Sequence, residues 1–488
     1  MVSSNRRALG VEPMGSGVRF LLRAPRKKEG MTELDAGPRP WIAVLLLGFL
    51  PAGCAVHSAH DRGTVSEQVR ARTGHVFRPA PGTGPELPDG VSVADGLSED
   101  DAIAVALWRN PELELTLAEL GLAKADLVEA GLLRNPIFSL LFPLGPKQLE
   151  FTLTWPIEAL WQRPRRVAAA QSDVARTAER LVQSGLDLVR DVRVAYADVL
   201  LDQERAKLAG ESREVRERIT AIAEVQLRVG ELSPLEAASA RVDAARAQDE
   251  AARASRAAEA SHARLVFLLG LAGEESGSGL VLAPVPPARP ELPALETLLK
   301  QALAARPELR AVELAMEAAG RRAGIARSQI LTLSAILDAN GSGNEGFEMG
   351  PGLALEIPLF GRHKGGRARA EAELLVEARR YVATRERIAL EVRQALTAVQ
   401  GARESLAVWD ASVLPVLERN LVRVQEAEQA GEASLLEVLA ARRSLIDARL
   451  LDAEARAAER KAEAALGHGV GCALGLVTPS AFRSEARP

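Results

Sequence analysis

The sequence predicts a mainly α fold with a small β part, and three observations predict it. The composition is 47% hydrophobic and 26% charged but only 3% aromatic. Such a core packs from Ala, Leu and Val, which is the chemistry of long helices and coiled coils. The chain also repeats its own landmarks at long range, and each copy pairs two short stretches of period-two alternation with very long stretches poor in proline. The expected protomer is therefore a set of long antiparallel coiled-coil hairpins plus two β-hairpins.

The duplication rests on four landmarks in one order. Asn110-Pro111-Glu112-Leu113 returns as Arg306-Pro307-Glu308-Leu309, and Trp155-Pro156-Ile157 as Ile357-Pro358-Leu359. Leu188, Val192, Ala195 and Val199 return as Ile388, Val392, Ala395 and Val399. Gly230-Glu231 with Ser233 and Glu236 returns as Gly431-Glu432 with Ser434 and Glu437. The offset is about 200 residues throughout, so the body is a tandem repeat.

Each copy opens with a helix, expected over 98–133 and again over 295–329, with Ser98 and Asp101 suited to cap the first. Alternating strands follow at 137–142 and 149–157, then at 331–338 and 353–359, joined by turns around Gly145-Pro146 and from Asn340 to Asn344. A very long helix comes next. Over 163–229 the only proline is Pro164, at the expected entrance, and this length spans about 100 Å. Its apolar residues Leu181, Gly185, Leu188, Val192, Ala195 and Val199 step alternately by four and three, a coiled-coil seam. The counterpart, 365–430, carries Pro415, where a kink is expected. A Gly- and Ser-containing turn follows each, then an Ala-rich returning helix over 235–271 or 435–466.

The first residues look like an address. The apolar run 41–53 is too short to span a bilayer but suits the core of a secretory signal. Ala52-Gly53 directly before Cys54 is similar to a bacterial lipobox, which makes Cys54 the expected lipidated first residue of the mature chain. The expected organisation is a signal peptide over 1–53, a lipidated extended tether over 54–96, repeats over 97–282 and 283–475, and a tail over 476–488. His57 and His60, in the tether, are read as solvated.

Composition also excludes classes. A net charge of −4 gives no basic footprint for nucleic acid, and two Cys with six His support neither a disulfide framework nor a set of metal clusters. No phosphate loop, HExxH, CxxC or convergent acid, base and nucleophile is present, so no enzyme and no cofactor are expected.

Four short strands cannot close a barrel in lipid, because an open edge there leaves backbone groups unpaired. Three chains supply twelve. The doubled order of helix, β-hairpin, long helix, Gly turn and returning helix, over roughly residues 97–470, resembles the TolC/OprM family of outer-membrane efflux proteins. The run from Ala123 through Asp126 and Ala130-Gly131-Leu132-Leu133-Arg134 to Asn135-Pro136 is similar to the branch serving heavy-metal efflux pumps. The resemblance implies a homotrimer with a 12-stranded barrel in outer-membrane lipid and a helical tube. It would be a passive exit duct working with a periplasmic adaptor (membrane fusion) protein and an inner-membrane pump. A different class, a periplasmic coiled-coil lipoprotein scaffold without transport, shares the helices but has no use for amphipathic strands.

The resemblance also implies site residues. Glu437 occupies the position of a carboxylate that forms a ring at the periplasmic aperture, with Ala440 one turn further on where a second acid can stand. Otherwise Glu437 is an ordinary solvated helix-surface acid. Gly230, Leu232 and Ser233, with Gly431, Ala433 and Ser434, would dock the adaptor, and they are equally plain turn chemistry. Glu150, Thr152, Thr154 and Glu356 would face the barrel lumen, with Leu153, Trp155, Leu353 and Leu355 towards lipid. His363 and Lys364 would be an interfacial polar pair, and Cys472 an inert small residue.

Overall fold

The protein is described from a computed structural model covering residues 56–78, 87–88, 91, 96–142, 144, 147–273, 280–284, 291–328, 332–342, 346–356 and 363–472. The expected signal peptide, Cys54, the C-terminal tail, the Gly145-Pro146 turn and the 357–359 strand exit lie outside the described residues.

Each opening helix is broken at its proline. Helix α2 (Glu99–Arg109) ends at Asn110 and α3 (Pro111–Gly131) begins beside it, correcting the single helix expected over 98–133. A proline at 111 has no N–H for the Leu107 carbonyl, and its ring pushes the preceding residue out of helical conformation. Asn110 is extended accordingly, at φ −61° and ψ 120°. It makes the break stable: its side-chain oxygen accepts from the Leu113 N–H at 2.9 Å, and its amide donates to the Leu268 carbonyl at 2.9 Å. The second copy breaks identically between α6 (Leu295–Ala305) and α7 (Pro307–Ser328). There Arg306, almost fully buried, takes the place of Asn110 and pairs with Glu391. The Ser98 cap forms as expected, accepting from Asp101 N–H at 3.1 Å.

The strands are β1 (Ile137–Leu141), β2 (Lys147–Pro156), β3 (Thr332–Ser342) and β4 (Gly346–Glu356). They form one antiparallel sheet in the order β1-β2-β3-β4. The second hairpin is longer than expected, β4 starting well before Leu353 despite Gly350, Pro351 and Gly352. Pro351 is tolerated because β4 has no neighbour on its outer side in the protomer.

The long helix α4 runs from Glu158 to Val229, 72 residues and about 108 Å. It starts earlier than expected, so Pro164 sits inside its second turn rather than at the entrance. The seam residues Leu181, Gly185, Leu188, Val192, Ala195 and Val199 are all buried. In the second copy Ile388, Val392, Ala395 and Val399 are buried likewise, on α8 (Lys364–Val408). The kink expected at Pro415 appears as a π-helical turn, Trp409–Val413, before α9 (Leu414–Gln429). The returning helices are α5 (Pro234–Leu268) and α10 (Leu435–Val470).

Helix α4 is the mast: α2, α3, α5, α7 and α10 all pack on it, while α8 packs on α7 and α10. Tyr196, fully buried in α4, joins the starts of the two copies. Its hydroxyl lies 2.9 Å from the Leu97 carbonyl and 2.6 Å from the Ala283 carbonyl, and burial pushes the phenol up to about 12.

The extended tether is corrected over part of its length. Helix α1 (Arg62–Thr73) has an Asp61–Thr64 capping box and a left-handed Gly74 at its C-terminus, and it packs on α4 through Val65 and Val69. Its apolar residues are short and spaced by four, a weak signal among the glycines and prolines around them. Gly185 of α4 lets this packing close up, since a Cβ there would lie 3.1 Å from the Phe77 ring and 3.2 Å from Val69 Cγ2, so those side chains would have to shift.

Leu181 is 1% exposed. Leu181→Ala is expected to cost about 2–5 kcal/mol, and Ile388→Val in the matching seam about 0.5–1.5 kcal/mol. Urea midpoints of the purified protein would rank the two.

Candidate functional site

Register decides which side chains share a face of the sheet. Glu150 pairs with Asn340 and Asn340 with Glu348; Thr152 pairs with Asp338, and Thr154 with Ile336. Glu356 pairs with Thr332, on the same parity of β3. Residues directly opposite point the same way, so Glu150, Thr152, Thr154 and Glu356 lie on one face. Asp338, Asn340 and Glu348 lie there too. The row is tied together: the Thr152 hydroxyl donates to Asp338 Oδ1 at 2.8 Å, and the Asn340 amide donates to Asp338 Oδ2 at 3.1 Å.

The opposite face is apolar on all four strands. Phe138 and Leu140 stand on β1, Phe151, Leu153 and Trp155 on β2, Leu333 and Leu337 on β3, and Met349, Leu353 and Leu355 on β4. Leu353 is 71% exposed and Phe138 60%, so among the described residues nothing covers these outer-strand side chains. Phe138 and Phe151 meet with ring centroids 5.9 Å apart. The sheet therefore has one apolar face and one that is mainly polar on β2, β3 and β4 but carries Ile137 and Leu141 on β1, and among the described residues its outer edges, on β1 and β4, are unpaired. Asn340 and Glu348 lay beyond the expected strands, which ended at Asp338 and began again at Leu353, whereas Asp338 lay inside the first of them; extending the same alternation reaches the other two.

The strand end is joined rigidly to the helices. Trp155 Nε1 donates to the Arg134 carbonyl at 3.0 Å, and Arg163 Nε to the Gly131 carbonyl at 2.6 Å. The Ile157 N–H continues the ladder to the Leu333 carbonyl at 3.0 Å.

At the far end of α4 and α9 the two turns are copies of each other. Gly230 and Gly431 are left-handed, at φ 81° and 76°, as a helix C-terminus that reverses direction needs. Ser233 and Ser434 then cap the returning helices, each with a capping box to the Glu three residues on. Leu232 and Ala433 are half-buried, while Gly230, Ser233, Gly431 and Ser434 are exposed. Glu437 is exposed, and its Oε2 accepts from the Ser434 N–H at 2.6 Å and from the Ser434 hydroxyl at 3.1 Å. Those bonds from the Ser434 backbone and side chain hold the Glu437 carboxyl below its ordinary range. Glu236 does the same for Ser233. Ala440 is exposed one turn beyond. His363 is the one described non-glycine residue with positive φ, and it precedes α8 together with Lys364.

Among the described residues, no helix is long and apolar enough to cross a membrane, and no group of three or more His, Cys, Asp or Glu side chains converges as metal ligands.

The family described as "Outer membrane efflux protein" matches residues 145–271 and 298–471, both copies of the repeat. The chain belongs to this family. Membership makes it an outer-membrane efflux channel protein of the TolC/OprM type rather than an enzyme or a scaffold without transport. The cobalt-zinc-cadmium resistance protein CzcC of Cupriavidus metallidurans is 26% identical over 415 residues, covering 82% of this chain and 94% of that protein. The outer membrane protein VceC of Vibrio cholerae shares the fold at a TM-score of 0.61 and 20% identity, over 77% of this chain and 96% of VceC. CusC does so at a TM-score of 0.60 and 21% identity, over 81% of this chain and 98% of CusC.

The capping bonds of Glu437 form with its ionised carboxylate. With the folded-state pKa lowered, their stabilisation is complete above the unfolded pKa and is lost as pH falls through the folded one. Hydrogen exchange at the Ser434 amide, corrected for intrinsic rate, is expected to lose protection on acidification. Glu437→Gln removes that dependence; an identical pH profile in the variant would show that the carboxylate does not hold the cap.

Proposed function

We propose that three copies of this chain close their sheets edge to edge into a 12-stranded barrel in the outer membrane, above a periplasmic tube made by α4, α5, α8, α9 and α10. The observation that carries this reading is the four-stranded sheet with one uncovered apolar face and two free edges. In hydrocarbon each unpaired backbone group costs several kcal/mol, so such a sheet is stable in lipid only when its edges meet others. Joining β4 of one protomer to β1 of the next pairs the two edges over the length of the shorter strand, β1, puts Leu153, Trp155, Leu353 and Leu355 against lipid, and turns Glu150, Thr152, Thr154 and Glu356 to the lumen.

The duct is passive, and a periplasmic adaptor with an inner-membrane pump supplies direction and energy. The two helix turns at the far end are the docking points for the adaptor, through Gly230, Leu232 and Ser233 and through Gly431, Ala433 and Ser434. Glu437, brought together three times by the symmetry axis, rings the aperture and favours cations. The cargo is metal ions; the support is the relation to a cobalt-zinc-cadmium resistance protein over most of both chains.

Cys54 carries lipid. Val56, two residues later, packs at the strand end of the helices: a Cβ on Gly131 would lie 2.6 Å from Val56 Cγ2, and Gly131 ends the helix just before β1. Each buried methylene of the acyl group would add about 0.8 kcal/mol of anchoring.

The test has four arms. Detergent-extracted protein should run as a trimer and conduct ions in a planar bilayer, and monomeric, silent material would refute the barrel. Glu437→Ala should shift the cation-to-anion permeability ratio; an unchanged ratio removes the ring. Cells lacking the protein should become sensitive to cobalt, zinc or cadmium, whereas sensitivity confined to organic compounds would reassign the cargo. Cys54→Ser should abolish labelling by a radioactive fatty acid.

A further inference from the structure

Charge is not spread evenly along the helices that continue the sheet. α3 and α7 run into β1 and β3, and α4 and α8 follow β2 and β4, so the segments 132–136, 159–168, 319–328 and 363–370 border the strands. Together they hold ten Arg and Lys and no Asp or Glu. Further from the sheet the signs balance: residues 169–193 of α4 carry four acids and four arginines, and residues 371–393 of α8 carry five of each. The net charge of the whole chain is −4, so the positive excess is local. Glu158, which opens α4, is buried, and only α3 runs against the trend, with Asp126 and Glu129 exposed in its last two turns.

Part of the excess is left without a counter-charge. Arg327 pairs with Glu371 at 3.0 Å and Arg369 with Glu373 at 2.8 Å. Arg134, Arg165, Lys364 and Arg367 are exposed and form no ion pair with any described residue. Exposed apolar side chains stand among them, namely Leu132, Leu160 and Trp161. Trp161 and Arg165, four residues apart, share one stripe of α4. Arg134 is placed by a contact: its carbonyl accepts from Nε1 of Trp155, a side chain of the apolar face, at 3.0 Å. Exposed Trp and Leu among cations suit a membrane's polar boundary, where an indole lies at headgroup level and a long basic side chain reaches towards phosphate.

We propose that these segments form a basic belt that binds anionic phospholipid headgroups of the leaflet on the helix side of the sheet, through Arg134, Arg165, Lys364 and Arg367. The belt rests on the barrel reading, which sets the strands in lipid, and it adds what meets their helix-side rim. Headgroup phosphates stand where lipid gives way to water, the level at which the strands give way to helices. A phosphatidylglycerol headgroup brings a full negative charge to that level, whereas a phosphatidylcholine headgroup is neutral overall, so unpaired cations favour the first. Arg134 decides the occupant: it lies beside Trp155 on the side of the sheet that faces lipid, so bilayer surface rather than duct contents covers it.

Tryptophan quenching in the intact, reconstituted protein reads the belt, since Trp155 and Trp161 stand at it. In bilayers of mixed phosphatidylglycerol and phosphatidylcholine, one lipid at a time carries bromine on its acyl chains. Brominated phosphatidylglycerol is expected to quench as if bound at least about fivefold more tightly than phosphatidylcholine, the effect of one charge near the surface. Salt at about 0.5 M should screen the preference away. Combining Arg134→Gln, Arg165→Gln, Lys364→Gln and Arg367→Gln should abolish it at low salt. Arg379→Gln with Arg385→Gln, about 20–30 Å further along α8, should leave it unchanged. Inorganic phosphate should compete no better than chloride at equal ionic strength. Equal quenching by the two lipids in the wild-type protein, or a preference that survives the fourfold substitution, overturns the belt and leaves the barrel standing. Competition by phosphate beyond that of chloride makes this a free-anion site and overturns the lipid assignment. No quenching by either lipid removes barrel and belt together.

Discussion

Unpaired backbone at the two ends of one small sheet is the constraint on which everything else depends. Every N–H and C=O on the outer sides of β1 and β4 needs a partner, and hydrocarbon supplies none. A soluble protein meets that need with water, or covers the sheet with helices. Here the helices lie elsewhere, and the uncovered face is the apolar one, from Phe138 on β1 to Leu355 on β4. Water therefore cannot be the intended surroundings of that face, and lipid cannot be those of the edges. The edge-to-edge association proposed for three copies would resolve both.

The helical part obeys a complementary logic. Alanine-rich helices such as α5 and α10 bury little area per residue, so they gain stability by lying along a long partner rather than by filling a central core. α4 is that partner along its whole length. Cross-links between α4 and α10, such as Arg205 with Glu454 at 2.8 Å and Lys461 with Asp198, fix alignment between parallel surfaces more than they add stability, since half-exposed ion pairs contribute little.

Period carried most of the information in the sequence. The seam from Leu181 to Val199 and the alternation from Glu150 to Trp155 were legible because burial in them follows the helix and strand repeat directly. The breaks at Asn110 and Arg306 were written in the sequence as well, in the prolines that follow, but the repeated Asn-Pro-Glu-Leu pattern drew the eye as a landmark of duplication rather than as two helix boundaries. The length of β4 was hidden by Gly350, Pro351 and Gly352, whose local preference against a strand is overridden by pairing along β3. Helix α1 was hidden by composition, since Val65 and Val69 matter only through a groove on α4 that no local pattern reveals.

The two turns show where local reading ends. Ser233 with Glu236 and Ser434 with Glu437 make the same capping box, and in both the bonds to Ser lower the carboxyl's pKa, so the cap alone does not single out one acid. A role for Glu437 alone must come from position: which hairpin lies nearer the three-fold axis of an assembled tube. The cap does not stand in the way, because both Ser434 bonds fall on Oε2 and Oε1 remains outside the cap. The same asymmetry separates the long helices. α4 runs unbroken to its turn, whereas its counterpart passes through a π turn before reaching the second one. Within the long helices the two copies part at one proline and the turn before it, beside the differences in strand length and at the Asn110 and Arg306 breaks.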